Sequence, residues 1–153
     1  MKQKQKKQKK KLISWILLLA WMAFIFYMSQ QTGQVSSGQS GKIVLLLSKI
    51  GIEISKDNIS NITFIIRKSA HFTEYFILYI LLFNVIKYYI HTKKIIFYSI
   101  MGVIIYAVSD ELHQYFVPER SSTIKDVFID SCGGIVASIV NNLFYKVKNI
   151  IKI

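Results

Sequence analysis

The sequence predicts an all-α polytopic membrane bundle, four transmembrane helices with a short surface helix between the first and the second. Three observations predict it. Hydrophobic residues make up 52% of the chain and its mean hydropathy is +0.37. Four long apolar runs recur along it, and its basic residues gather at particular ends of those runs. A soluble domain of 153 residues would leave too much of that apolar surface in water.

The first element opens with a tail holding seven of the chain's twenty basic residues in positions 1–11. Leu12 to Met28 follows without a charge. No small-x-small cleavage site comes after it, so it reads as a retained signal anchor. Ser29 to Gly41 is Gln, Ser and Gly without periodicity and is expected to be a loop. Ile43 to Leu47 is too short to span and is assigned to a short amphipathic helix at the membrane surface. The second span is expected from near Ile62, with Arg67, Lys68, His71 and Glu74 early and an apolar stretch from Tyr75 to Ile86. A basic turn, His91 to Lys94, separates it from a third run, Ile95 to Val108. A polar segment with the only proline, Pro118, leads to the fourth run, Val127 to Tyr145. Residues 1–11 and 147–153 are thus tails around one transmembrane domain, 12–146. The single cysteine, Cys132, excludes an internal disulfide and sits beside two glycines as a small packing residue.

Charge placement sets the expected orientation. Segments 1–11, 87–94 and 146–153 hold thirteen of the twenty basic residues and none of the eight acids. The positive-inside rule then puts both termini in the cytoplasm and predicts a multi-pass protein of the plasma membrane. The same placement argues against nucleic acid as a partner, since no binding motif accompanies the net charge of +12. Membrane lipids are the expected surroundings.

Helix length carries a further expectation. Ile95 to Ser109 would reach only about 22 Å as helix, short of a hydrocarbon core about 30 Å thick. The third span must therefore continue through Asp110, Glu111 and Gln114, and ionisable groups at that depth are functional candidates. Arg67, Lys68, His71, Glu74 and Tyr75 share an arc of about 120° on the second span, and Asp110, Glu111 and Gln114 one of about 100° on the third. Asp126 and Asp130 lie one turn apart on the fourth, in line with Gly133, Gly134, Ala137 and Asn141, small enough for helices to approach closely. Arg120 stands between the last two clusters, on a loop tethered by Pro118. His113 points off the Asp110–Gln114 face, and His91 belongs to the basic turn, so both read as solvated or structural.

With these residues in place, the chain resembles the VanZ-like family of bacterial membrane proteins, whose founding member is associated with low-level resistance to the glycopeptide teicoplanin. The resemblance rests on Ser29-Gln30 with the Ser-rich stretch to Ser40, on Arg67-Lys-Ser-Ala-His71-Phe-Thr-Glu-Tyr75, and on Ser109-Asp-Glu-Leu-His-Gln114. Pro118-Glu-Arg120 and Asp126-Val-Phe-Ile-Asp130 with Gly133 complete it. The family pattern usually has glycine where this chain has Glu119. The resemblance implies a role in the cell envelope and in glycopeptide susceptibility. It supplies no reaction.

Three readings of the charged cluster remain open. It can be a structural network in which cations neutralise buried acids. It can bind the anionic headgroup of a lipid-linked cell-wall precursor, with Arg67, Lys68 and Arg120 on phosphate. Or it can be a metal-dependent enzyme acting on such a precursor, since His71, Glu74, Glu111, Asp126 and Asp130 include ligands for Mg²⁺ or Mn²⁺. No catalytic motif supports the last reading, so the residues lean away from catalysis, and no cofactor other than a divalent metal is implied. An accessory subunit whose polar cap docks a partner is a further possibility.

Overall fold

A computed structural model of the chain describes residues 2–51, 54–55, 58–90, 94–120 and 122–151, with side chains as far as Tyr145. It is all helical: α1 (Lys2–Ser29), α2 (Gly33–Lys49), α3 (Ile59–Ile86), α4 (Lys94–Gln114) and α5 (Ile124–Ile151). Among the described residues α1, α3, α4 and the Ile124–Tyr145 part of α5 are long and apolar enough to cross a membrane.

Each span turns a narrow stripe inward. Leu18 and Ile25 of α1 are two turns apart and buried, while Leu12, Ile16 and Leu19 are exposed. On α3 the buried set is Tyr75, Leu78, Tyr79 and Val85, and on α4 it begins with Ser99, Val103 and Ala107. These meet Ala137 of α5 in one core. Many of the other apolar side chains are exposed, Ile105, Leu143 and Phe144 by more than half, and they form a band suited to lipid.

The spacing of α3 against α5 is set by Gly133. A Cβ there would stand 2.3 Å from the carbonyl oxygen of Phe72, so only glycine lets the two backbones approach this closely. α1 is tied on by polar bonds. Trp21 Nε1 donates to the Glu74 carbonyl at 2.9 Å, and Tyr106 Oη to the Met22 carbonyl at 2.7 Å. At one end of the bundle Trp15 donates to Tyr89 Oη at 2.8 Å, with Lys11 over the Tyr89 ring, and Phe83 packs on Tyr145. The start of α1 and the far end of α5 therefore share that end, as four spans require. The basic turn expected at His91 to Lys94 lies outside the described residues except for Lys94, which opens α4.

The expected loop from Ser29 to Gly41 is corrected. Gly33 to Gly41 forms the first half of α2, so the surface helix is 17 residues long. Thr32 caps it by accepting from the Val35 N–H, and the Gly33 N–H donates to the Pro118 carbonyl at 3.3 Å. Weak glycine and serine propensity is overridden by packing against α3 and the 118–120 turn. Gly33 has no alternative, because a Cβ would lie 2.0 Å from the Glu119 carbonyl oxygen. Glu119 has φ +60, a left-handed conformation that ordinarily favours glycine. Its carboxylate offsets that cost by accepting from the Gln34 backbone N–H at 3.3 Å and from Gln34 Nε2 at 3.1 Å, at the positive end of α2. The second and fourth spans begin three residues earlier than expected, at Ile59 and Ile124. The third runs through to Gln114, as its length required.

Candidate functional site

At the end of the bundle away from the tails, α1, α2, α3 and α4 surround a cavity of about 300 Å³. Its titratable lining comes from Arg67, His71 and Glu74 on one face of α3, Asp110 on α4 and Arg120 on the connecting turn, with Gln114 of α4 beside them. Successive α3 residues stand three and four apart, which places them on neighbouring turns of one face. Asp110 lies four residues, about 6 Å, inside the end of α4 and is 5% exposed.

Most charges here have partners. Arg120 donates from Nε to the Gln31 carbonyl and from Nη2 to the Met28 carbonyl, both at 2.8 Å, closing the carbonyl end of α1. Its Nη1 reaches Gln114 Oε1 at 3.4 Å, and Gln114 Nε2 donates to Asp110 Oδ2 at 2.9 Å. Burial, with Arg67 nearby, holds the Arg120 guanidinium below its usual range, while Asp110, Glu111 and Glu74 pull the other way. Lys68 forms an ion pair with Asp126. Glu111 faces away from the cavity. One of its oxygens accepts the Thr123 N–H at 3.1 Å and its carbonyl accepts from Ser122 Oγ, so it anchors the entry to α5. Tyr75 is fully buried below the cavity, against Tyr106.

Among the described residues, Glu111 Oε1 and the Tyr75 hydroxyl are buried without a hydrogen bond, and two further charged groups lack one at the cavity or just behind it. Arg67 lines the cavity with no hydrogen-bond or ion-pair partner among the described residues. Asp130 is 0% exposed, and neither carboxylate oxygen has a hydrogen-bond partner. The nearest cation-capable group is His71 Nδ1, 3.5 Å from Asp130 Oδ1 and likewise without a hydrogen bond.

The three expected clusters thus converge, though unequally. Arg67, His71, Glu74, Asp110, Gln114 and Arg120 share the cavity, and Asp130 lies behind His71. Lys68 and Asp126 border a small cleft beside it, while Glu111 and Tyr75 do not line it. The Ser29–Gly41 segment contributes a wall that a loop reading misses: Ser29, Ser36, Gln39 and Ser40. A signal was present. Gly33, Ser36, Ser40 and Val44, the buried positions of α2, repeat at three- and four-residue spacing. Hydropathy does not register a stripe of glycine and serine as a helix face. His113, expected off the Asp110–Gln114 face, packs on Phe26 and approaches Ser29 Oγ at 3.4 Å.

Residues 14–145 match the family described as VanZ/LLP1. No curated protein and no solved structure shows significant similarity to the chain.

Proposed function

The chain belongs to the VanZ/LLP1 family and is a multi-pass membrane protein, and we propose that its polar cavity binds the anionic, phosphate-bearing headgroup of a lipid at the extracytoplasmic face. One observation carries this reading: Arg67 lines a cavity of ligand size without a partner for its charge. A guanidinium presents paired donors that match phosphate geometry, and burial strengthens each bond. Arg120 lines the same cavity and Lys68 the small cleft beside it, but their donors are committed to the end of α1 and to Asp126. Arg67 is the phosphate contact and Arg120 the frame around it.

The charge asymmetry favours cytoplasmic termini in the plasma membrane, which would set the cavity at the depth of outer-leaflet headgroups. A lipid-linked cell-wall precursor is the ligand class that fits an envelope role. Altered susceptibility to teicoplanin-type glycopeptides is the cellular consequence we expect.

Binding is tested with purified protein in detergent micelles and a polyprenyl phosphate, phosphatidylcholine serving as zwitterionic control. Saturable binding is expected for the phosphate lipid alone. Arg67→Gln should weaken it about tenfold or more, a hydrogen bond to a charged group being worth about 1.5–3 kcal/mol. Absence of affinity, or an unchanged affinity in Arg67→Gln, overturns the reading. Orientation is tested separately with fusions of a reporter active only outside the cytoplasm. Fusions after Gln34 and Ser121 should be active and a fusion after Thr92 silent. Activity after Thr92 would sink the four-span arrangement.

A further inference from the structure

The acids at this end of the bundle are not equivalent. Asp126 is paired with Lys68, and Glu111 holds Thr123. Glu74 and Asp110 line the cavity, where Asp110 accepts from Gln114 Nε2. Asp130 is left over. It is fully buried, with both oxygens unpartnered, on a helix whose next turn is occupied by Gly133 against the backbone of α3. An uncompensated carboxylate in such surroundings is costly as a rule, and more so where water is excluded by lipid.

Ligand atoms of His71, Asp110 and Asp130, one from each, all lie within 4.8 Å of one another. We propose that these three residues hold a divalent transition-metal cation behind the cavity. The spacing supports it. His71 Nδ1 and Asp130 Oδ1 are 3.5 Å apart, longer than a sound N–H···O bond of about 2.7–3.2 Å. Two ligands each about 2.1 Å from one ion stand about 3.4 Å apart in a tetrahedral arrangement, so the same distance suits a shared metal. Two carboxylates and a neutral imidazole balance a doubly charged ion and give the unpartnered Asp130 oxygen a partner. One nitrogen with two oxygens favours Mn²⁺, Fe²⁺, Co²⁺ or Zn²⁺ over Ca²⁺ and Mg²⁺, which prefer oxygen alone. His71 and Asp110 also line the cavity, as does Glu74.

This donor set differs from the one the sequence offered. Asp110 enters it, because Gln114 orients its carboxylate at 2.9 Å. Glu74, Glu111 and Asp126 leave it: Glu111 is turned toward Thr123, Asp126 is paired with Lys68, and Glu74 does not fall within the three-residue group.

The inference is independent of headgroup binding, since its test uses the metal alone. The full chain, purified in detergent and freed of metal by chelator, is titrated with Co²⁺. A visible absorption spectrum saturating at one ion per chain is expected, because those bands report ligands bonded directly to the ion. Zn²⁺ should displace it and raise the melting temperature. His71→Gln, which keeps a polar side chain of similar size, should weaken Co²⁺ at least tenfold and alter the spectrum. Asp130→Asn should abolish it while far-ultraviolet dichroism stays helical, and Asp126→Asn should leave it intact. A chain that shows no Co²⁺ spectrum, as a bare imidazolium–carboxylate pair would not, overturns the proposal. So does a His71→Gln spectrum identical to wild type, whether or not Asp130→Asn folds.

Discussion

Gly133→Ala should be among the most damaging single-methyl additions in this protein, with a loss of about 3 kcal/mol in folding stability. Overpacking a tight contact generally costs about 1–3 kcal/mol, and the upper figure applies where the neighbour cannot move aside. Here the neighbour is the Phe72 carbonyl, 2.3 Å from the new methyl, and it is fixed by the α3 helix. Relief requires α3 and α5 to separate, which would also pull Asp130 away from His71. Gly38→Ala is the control. Nothing lies within 4 Å of a Cβ at Gly38, and it sits inside α2, so alanine should be neutral or stabilise by up to about 1 kcal/mol. Thermal unfolding in detergent compares the two directly. Equal melting temperatures would mean that the α3–α5 contact is not as close as described.

Arg120→Ala should be comparably severe, at about 3–5 kcal/mol, the usual cost of removing one charge from a buried network. Three acceptors lose their donor at once: the Met28 and Gln31 carbonyls and Gln114 Oε1. Glu74 and Asp110 lose a neighbouring cation as well. Arg120→Lys keeps the charge but not the fork, since one ammonium cannot match the directions of Nε, Nη1 and Nη2 together. It should recover part of the stability and leave the end of α1 frayed. Protease susceptibility at the α1–α2 junction, read beside the melting temperature, distinguishes the cases. A lysine variant as stable and as protected as wild type would show that the forked geometry is not used.

Much of this architecture is written in local pattern. Four spans, their order and the shared end of the two tails follow from hydropathy and charge, because burial in lipid is a property of each segment on its own. The extension of α4 to Gln114 was likewise legible, since membrane thickness and helical rise set the length. Convergence of the α3, α4 and α5 clusters was foreseeable from helical spacing, as was the close approach at Gly133.

Partner choice was not. The sequence presents Asp110, Glu111, Asp126 and Asp130 as similar acids near similar cations. Only packing pairs Asp126 with Lys68, turns Glu111 toward Thr123 and strands Asp130 beside His71. Arg120, equally, reads as a partner for the acids or for a phosphate until the end of α1 arrives beside it. The same holds for α2, whose glycines and serines carry almost no helical preference and whose register depends on the Pro118–Glu119 turn. Hydropathy and charge act along the chain and can be read from it. Hydrogen-bond partners are chosen by directions and distances of an ångström or less, and those exist only once the helices have packed.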